Sequence, residues 1–281
     1  MQAVPMTEDL RDRALALLRA RRETSMYLLG NLEQHGPGPT ASLNSGMYQC
    51  LVDGETVRAV FVLTRRGNLL AQTDHQGDYS DAILEAVRPV PTKISGFLGD
   101  WPIVEGLARR LPDFKPTFSS KDCLFYRPLG QEPPAAPPEG AIVRRLTALD
   151  FSAWDELIHA FMAVEGIPIQ GTLDEREANF KASVERGSHW GASVNGRLLS
   201  LASLNTRADG LGQVGGVYTT PPARRMGLSK AVMQGLIHDS AHLHGLTGLT
   251  LFTGEENLHA QAMYRSMGFQ EIGHFGMIFG G

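Results

Sequence analysis

Cysteine is scarce in this sequence. Its two cysteines, Cys50 and Cys123, are too few for a disulfide framework or for a zinc site with four cysteine ligands. Both lie in apolar or mixed runs, and no local pattern identifies the paired base that a catalytic cysteine needs. We therefore interpret them as buried thiols of a protein that occupies a reducing compartment.

The chain also lacks long apolar runs and an excess of positive charge. No run approaches the roughly 18 apolar residues that span a membrane, and the first ten residues are acidic, unlike a signal peptide. With 26 Lys and Arg against 30 Asp and Glu, the net charge of −4 creates no overall basic field for nucleic acid. We expect a cytoplasmic protein whose partners include neither a membrane nor nucleic acid.

Proline, in contrast, is concentrated in one place. Five prolines fall among the thirteen residues 128–140, a density that prevents regular structure and favours a stiff connector. We place a linker at residues 129–140, between one domain at 1–128 and a second at 141–281. Each domain is long enough to build its own core, and a total of 281 residues suits two domains.

Both halves show the same order of elements: helices first, then a run of strands, then alternating helix and strand. The dipeptides Asp53-Gly54 and Asn195-Gly196 predict tight hairpin turns. Late in the first half we expect short strands near residues 92–97 and 123–126. The order predicts an α/β fold with a mixed sheet, used twice in tandem, although the halves share little direct sequence similarity.

The clearest indication of chemistry lies at residues 214–233, which predict a strand, a short loop and a helix that starts near Leu228. The first N–H groups of such a helix are unpaired and lie at the positive end of its dipole, so they bind anions. Gly227 lets an anion approach the backbone closely. Arg224 and Arg225 add full positive charge at the same place.

A second pattern follows closely. The run NLHAQAMYRSMGF occupies residues 257–269. Asn257 and Tyr264 are seven residues apart, which places both on one face of a helix, two turns from each other. Gly268 is suited to end that helix, and Phe269 to begin the last strand.

With these two patterns, the second half resembles the GNAT superfamily of acetyltransferases. The coenzyme A motif of that family, Arg/Gln-x-x-Gly-x-Gly/Ala, is matched at Arg224, Gly227 and Ser229, where serine replaces the last small residue. Its next motif, Asn-x-x-Ala-x-x-Leu/Met-Tyr-x-x-x-Gly-Phe, is matched throughout from Asn257 to Phe269. The resemblance covers residues 141–281, whereas residues 1–128 share only the order of elements.

The resemblance implies transfer of an acyl group from acetyl-CoA, or another acyl-CoA, to the primary amine of a small molecule or peptide. It implies a pyrophosphate held by the backbone amides of Arg225, Met226, Gly227, Leu228, Ser229 and Lys230. It implies that the pantetheine arm pairs with Val217, Tyr218 and Thr219 and bonds to Asn257. The Tyr264 phenol would protonate the departing thiolate, and the N–H of Val217 or Tyr218 would stabilise the oxyanion.

The base that takes the amine proton is left open. Glu165, Glu255, Glu256 and a chain of water molecules are all candidates. Simpler roles compete at several of these positions. Asn257 suits a helix cap, Tyr218 and Tyr264 suit packing in the core, Arg224 and Arg225 suit a solvated loop, and Glu165 suits a solvated turn.

Two other patterns carry no function in this interpretation. A G-x-G-x-x-G run at residues 210–215 precedes a strand instead of opening a helix, which predicts a hairpin turn and not a dinucleotide site. Three nearby histidines lack a further ligand at zinc spacing, so we predict no metal and a position on the surface and last turn of a helix for His238, His242 and His244.

An N-acyltransferase is the leading hypothesis, and the alternative is a non-catalytic, regulatory acyl-CoA-binding protein. A nucleotide hydrolase is disfavoured because the lysine spacing of a Walker loop is missing. The first half has an acidic stretch, QTDHQGDYSDA, in place of a phosphate loop, so we expect a degenerate GNAT-like domain that binds no coenzyme A. The sequence leaves open the acceptor, which we expect to meet residues 161–172, and the choice between monomer and dimer.

Overall fold

A computed structural model describes residues 1–130, 133, 136–167, 169 and 171–281. Parts of two predicted segments lie outside the described residues. In the linker these are Gln131, Glu132, Pro134 and Ala135, and in the acceptor loop they are Pro168 and Gln170.

In the described part of the chain, one sheet contains twelve strands. Their bounds are β1 Gln2–Pro5, β2 Tyr48–Asp53, β3 Thr56–Leu63, β4 Asn68–Thr73, β5 Gly96–Asp100, β6 Pro116–Pro128, β7 Ala141–Arg145, β8 His189–Val194, β9 Arg197–Ala208, β10 Leu211–Thr219, β11 Gly248–Gly254 and β12 Gln270–Gly280. The pairs β4–β5 and β10–β11 are parallel and the other pairs antiparallel, so the predicted α/β fold with a mixed sheet is confirmed.

The helices carry the apolar periodicity from which they were predicted. Their bounds are α1 Glu8–Ala20, α2 Met26–His35, α3 Ser80–Val87, α4 Trp101–Arg109, α5 Phe151–Glu165, α6 Leu173–Glu185, α7 Leu228–His242 and α8 Leu258–Ser266. Both predicted hairpin turns are present, with φ of 59° at Gly54 and 50° and 75° at Asn195 and Gly196. These left-handed conformations match the twist of the strands that they join.

Three strand predictions need correction. β1 was not expected, because its four residues pair at the edge of the sheet with too few side chains to show an alternation. β5 begins at Gly96 instead of residue 92. β6 is thirteen residues long instead of four, since its polar first half is held by pairing with β12 and not by apolar side chains of its own.

The strand order joins the two halves of the chain. It reads β1-β2-β3-β4-β5-β12-β6-β11-β10-β9-β8-β7. The last strand of the second half, β12, therefore lies between β5 and β6 of the first half, and β6 pairs in turn with β11 of the second half. The predicted linker at residues 129–140 falls between β6 and β7, and the sheet is continuous across the two halves that it was predicted to separate.

The helices lie on both faces of this sheet. On one face, α7 packs on the buried side chains of Trp190, Leu249 and Leu251. On the opposite face, α5 packs on Leu201 and Tyr218, while Tyr27 of α2 donates a hydrogen bond to Gln213 of β10 at 3.2 Å. A helix of the first half thus covers part of the second half on the same face as α5.

Candidate active site

The site begins where two parallel strands separate. β10 and β11 pair from Leu211 opposite Gly248 to Val214 opposite Leu251. Beyond this point β10 continues to Thr219, while β11 continues along β6. A bulge in β10 between Gly215 and Tyr218 bends the strand at this place, and a wedge opens between the two strands.

The loop after β10 presents its amides to that wedge. Arg225 and Gly227 both have left-handed backbones, with φ of 66° and 78°, and α7 starts at Leu228. Gly227 occupies the cap position and has no side chain that could satisfy the first N–H groups of the helix. Alternating backbone conformations of this kind gather amide protons into a concave anion site. A left-handed arginine is strained, which is typical of functional loops.

These elements surround a cavity of about 980 Å³. The implied site residues that line it are Val217, Tyr218, Thr219, Arg224, Arg225, Gly227, Leu228, Ser229, Lys230, Asn257 and Tyr264. Met226 does not line it and is 49% exposed. The structure therefore brings the two sequence patterns together in one cavity, with three cationic side chains at the end where the helix begins.

Asn257 and Tyr264 lie on α8 as its spacing predicts. The Asn257 carboxamide oxygen accepts a hydrogen bond from the Ala260 N–H at 3.2 Å, so this residue caps the helix while its NH₂ group is left to donate. Tyr264 is only 6% exposed and packs against Phe125 and Phe269 at ring distances of 6.2 and 6.0 Å. Burial, with the charge of Glu165, raises the pKa of Tyr264, so its phenol keeps its proton at neutral pH.

Two implied residues have additional contacts in the fold. The Ser229 hydroxyl, at a position where the motif has glycine or alanine, donates to the Met263 sulfur at 3.3 Å. Tyr218 packs with Leu157 and Leu201 and meets the Phe161 ring at 6.2 Å. Its side chain is thus a packing element, while its backbone borders the wedge.

The three candidate bases differ in position. Glu165, the last residue of α5, lines the cavity, and burial together with the charge of Asp122 raises its pKa. Glu255 is exposed, pairs with Lys121 and His274 at 3.1 Å each, and its pKa is lowered mainly by the Lys121 hydrogen bond. Neither Glu255 nor Glu256 is among the described residues that line the cavity.

Sequence reasoning missed two residues near this site. His259 of α8 lines the cavity directly. Asp122 of β6 is 6% exposed and accepts a hydrogen bond from the Ser120 hydroxyl. A carboxylate that interrupts the strand sequence KDCLFY was the available signal for Asp122, but the sequence does not show that β6 pairs with β11 of the other half.

One group of side chains in the described chain has atoms close enough to share a metal ion. The ligand atoms of Cys123, Glu271 and His274 lie within 4.8 Å of one another. Two of them are already engaged, because Glu271 pairs with Arg265 at 2.6 Å and His274 with Glu255 at 3.1 Å. We assign no ion to this group.

Local contacts explain the glycine run at residues 210–215 and the three nearby histidines, to which no function was assigned. Asp209 and Gly210 form the hairpin turn between β9 and β10, with φ of 48° and 76°. His238 and His242 stack on α7 at 4.1 Å. His244 lies beyond the end of α7, contrary to the predicted last-turn position, where its Nε2 donates to the Gly187 carbonyl at 3.1 Å.

In the first half, the helix start that corresponds to the amide loop is that of α3, and a carboxylate of the chain itself binds there. The Asp78 carboxylate accepts a hydrogen bond from the Ser80 N–H at 3.0 Å, at the beginning of α3. Arg110 pairs with the same carboxylate, and the pKa of Asp78 is lowered, first by the Ser80 hydrogen bond. A phosphate would have to displace this carboxylate, which supports the prediction that the first half binds no coenzyme A.

Comparison with known proteins agrees with this geometry. Residues 153–269 match the acetyltransferase (GNAT) family, and they contain the wedge, the amide loop and Tyr264. Over these residues the chain is similar to the GNAT family. No curated protein sequence matches the chain.

Solved structures resemble the whole chain and not only residues 153–269. A Drosophila protein is 16% identical with a TM-score of 0.68, and 99% of this chain and 98% of that chain are covered. A GCN5-related N-acetyltransferase from Sphaerobacter thermophilus is 17% identical, covering 99% and 94%, with a TM-score of 0.59. A tandem GNAT protein from the clavulanic acid biosynthesis pathway is 12% identical, covering 99% and 97%, with a TM-score of 0.56.

At these identities the likeness concerns the fold, and it extends over both halves of the chain. The match of residues 153–269 to the GNAT family supports acyl transfer in general. Among the described residues, no helix is long and apolar enough to span a membrane.

Proposed function

We propose that the chain is an acyl-CoA-dependent N-acyltransferase that moves an acetyl or other acyl group to a primary amine. The observation that carries this proposal is the amide loop at residues 225–230, which opens into the same cavity as the buried phenol of Tyr264. An anion site and a proton donor in one cavity suit a thioester that is attached to a diphosphate.

The chain's own groups fit such a ligand along its length. The N–H groups of residues 225–230 and the charges of Arg224, Arg225 and Lys230 are suited to the diphosphate. The edge of β10 that faces away from β9, at Val217 and beyond, has left β11 and offers its backbone to an extended amide-containing arm. We assign the Asn257 NH₂ group to the same arm.

Two groups then act on the reacting atoms. The N–H of Val217 or Tyr218 would stabilise the oxygen that becomes negative when an amine attacks the thioester. The Tyr264 phenol would donate a hydrogen bond to the sulfur as negative charge develops on it, and would give its proton to the departing thiolate. Acyl-CoA supplies the activated acyl group, and the protein supplies position and protons.

The proposal is tested by two measurements on the full chain. Calorimetry should show that coenzyme A binds, and thiol release from acetyl-CoA should depend on an added amine. If coenzyme A binds but no amine in a broad panel increases thiol release, the chain is a regulatory acyl-CoA-binding protein. If coenzyme A does not bind, both functions are excluded.

A further inference from the structure

The candidate active-site cavity is lined from both faces of the sheet. Val217 packs into the apolar cluster beneath α7 and α8, whereas Tyr218, the next residue of β10, packs against α5 on the opposite face. Both residues line the cavity, as do Lys230 at the start of α7 and Phe161 near the end of α5. The wedge between β10 and β11 thus connects the α7 face with the α5 face.

The two ends of this cavity differ in charge. Its arginine and lysine side chains, those of Arg224, Arg225 and Lys230, lie in the loop before α7 and in the first turn of that helix. Glu165, the last residue of α5, is the sole carboxylate among the described residues that line the cavity. Because the diphosphate is assigned to the cationic end, the carboxylate lies on the face from which a second substrate can approach the wedge.

The last turn of α5 presents apolar and anionic groups together. Phe161, Val164 and Glu165 are spaced at i, i+3 and i+4, which places them on one side of the helix, and all three line the cavity. The Phe161 ring meets the Tyr218 ring at 6.2 Å, so this side of α5 lies over β10. Val164 is 65% exposed. A molecule bound here contacts two apolar side chains and one carboxylate.

The position of Glu165 gives it no role in stabilising the fold. Among the described residues it takes part in no ion pair. As the last residue of α5 it lies at the negative end of the helix dipole, where a carboxylate is disfavoured. Its charge is therefore available to a cation that enters the cavity from the α5 face.

We propose that the last turn of α5 binds the acceptor, with Glu165 on its ammonium group and with Phe161 and Val164 on an adjoining apolar body. This inference rests on the proposed N-acyltransferase function and specifies its acceptor class, which is primary amines that carry an apolar group and no carboxylate. A carboxylate on the acceptor would lie beside Glu165 and be repelled.

The proton balance follows from this placement. Glu165 accepts one proton from R–NH₃⁺, which leaves R–NH₂ on the α5 face. The nitrogen forms the C–N bond with the acyl carbon, the C–S bond breaks, and a second amine proton replaces the one that Tyr264 gives to the thiolate. The products are the amide and the free thiol, and the proton on Glu165 passes to solvent.

Two acceptors of the same shape isolate the effect of charge. 2-Phenylethylamine is cationic at neutral pH, and O-benzylhydroxylamine, in which an oxygen replaces the CH₂ group next to nitrogen, is uncharged. In thiol release from acetyl-CoA, Glu165→Gln should lower kcat/KM at least about 20-fold for 2-phenylethylamine and less than about 3-fold for O-benzylhydroxylamine. The affinity for coenzyme A, which depends on the amide loop, should be unchanged.

The matched control is Glu185→Gln. It makes the same change at the last residue of α6, which is exposed and is not among the described residues that line the cavity. Both rates should stay at the wild-type value. Neither substitution removes an ion pair between described residues, so both variants should keep the wild-type Tm. A lower Tm for Glu165→Gln alone would assign this residue to stability instead of to the acceptor.

Two further measurements do not depend on Glu165→Gln. Wild type should prefer 2-phenylethylamine to phenylalanine, which adds a carboxylate beside the same amine, by at least about 50-fold in kcat/KM. Val164→Ser removes apolar contact, so it should raise KM at least about 3-fold for 2-phenylethylamine and leave KM for ethylamine unchanged. An equal effect on both amines would refute the apolar contact.

The possible results distinguish the two proposals. The assignment of α5 is refuted, and the N-acyltransferase proposal survives, if wild type acylates phenylalanine as well as 2-phenylethylamine or acylates only other amines. The same holds if Glu165→Gln shows no loss that is specific to the cationic acceptor. If wild type acylates no amine in a broad panel, both proposals are refuted.

Discussion

Replacement of Tyr264 by phenylalanine tests the chemistry of the site most directly. The change removes one oxygen atom and leaves a ring of the same shape between Phe125 and Phe269. Because the ring contacts remain, we expect the free energy of unfolding to change by less than about 1.5 kcal/mol, the value of a typical hydrogen bond. The affinity for coenzyme A, which depends on the amide loop, should be unchanged within a factor of about two.

The expected loss is in kcat. Without the phenol, the thiolate has to leave unprotonated or take a proton from water, and a positioned acid typically contributes about 100-fold or more to such a step. That factor corresponds to about 2.7 kcal/mol of activation free energy. Since burial raises the pKa of Tyr264, the wild-type rate should show no loss from deprotonation of this phenol until the pH exceeds about 10.

Stopped-flow or steady-state thiol release measures kcat, and calorimetry measures coenzyme A binding. Tyr218→Phe is the matched control, because it removes the same atom in the same cavity from a side chain that packs on α5. Its kcat should stay within about 3-fold of wild type, since no proton transfer is assigned to it. A Tyr264→Phe enzyme with wild-type kcat would refute the assignment of Tyr264 as the acid.

Three other predictions concern binding and stability. Gly227→Val places a β-branched residue at φ 78° in the amide loop, beside Pro138, and should weaken coenzyme A binding at least about 10-fold. Gly36→Val is the control for backbone strain, because Gly36 has a φ of 76° and open space around it. This control variant should bind coenzyme A normally. Titration calorimetry should give one coenzyme A per chain, and a stoichiometry of two would contradict the assignment of the Asp78 carboxylate as a built-in anion in the first half. His189 is half-buried and packs against Trp154 and Phe180. Desolvation, with the charge of Arg186, lowers its pKa to about 4. Its neutral form therefore stabilises the fold above about pH 6.5, and this stability is lost as the pH falls towards 4. The loss should be about 3 kcal/mol by pH 4, and urea unfolding of His189→Gln should show a smaller decrease than wild type over the same range; an equal decrease would exclude His189 as the cause.

The site residues that were predictable from the sequence share one property: their geometry is local. The amide loop needs only a strand end, a glycine and a helix start within a few residues, and Gly227 marks that start. Asn257 and Tyr264 line one cavity because they lie two turns apart on α8. Glu165 was available as a candidate base, but nothing local distinguished it from Glu255 and Glu256.

Pairings between distant parts of the chain were not predictable in this way. The insertion of β12 between β5 and β6 depends on backbone hydrogen bonds that any strand can make, so no residue type announces it. The polar start of β6 shows the same effect, since its pairing comes from β12 and not from its own side chains.

The sequence by itself therefore determined most of the helices and strands, the amide loop at residues 225–230 and the place of Tyr264 on its helix. Each depends on backbone preferences and spacing over less than about three helical turns. Only the tertiary structure decided that the two halves share one sheet and that Asp122 of the first half lies on the face that carries α5. The physical reason is that the surroundings of Asp122 come from residues far away in the chain. Gly254 lies opposite it in β11, and the Asp122 charge acts on Glu165 of α5. These residues meet Asp122 only when β6 pairs with β11.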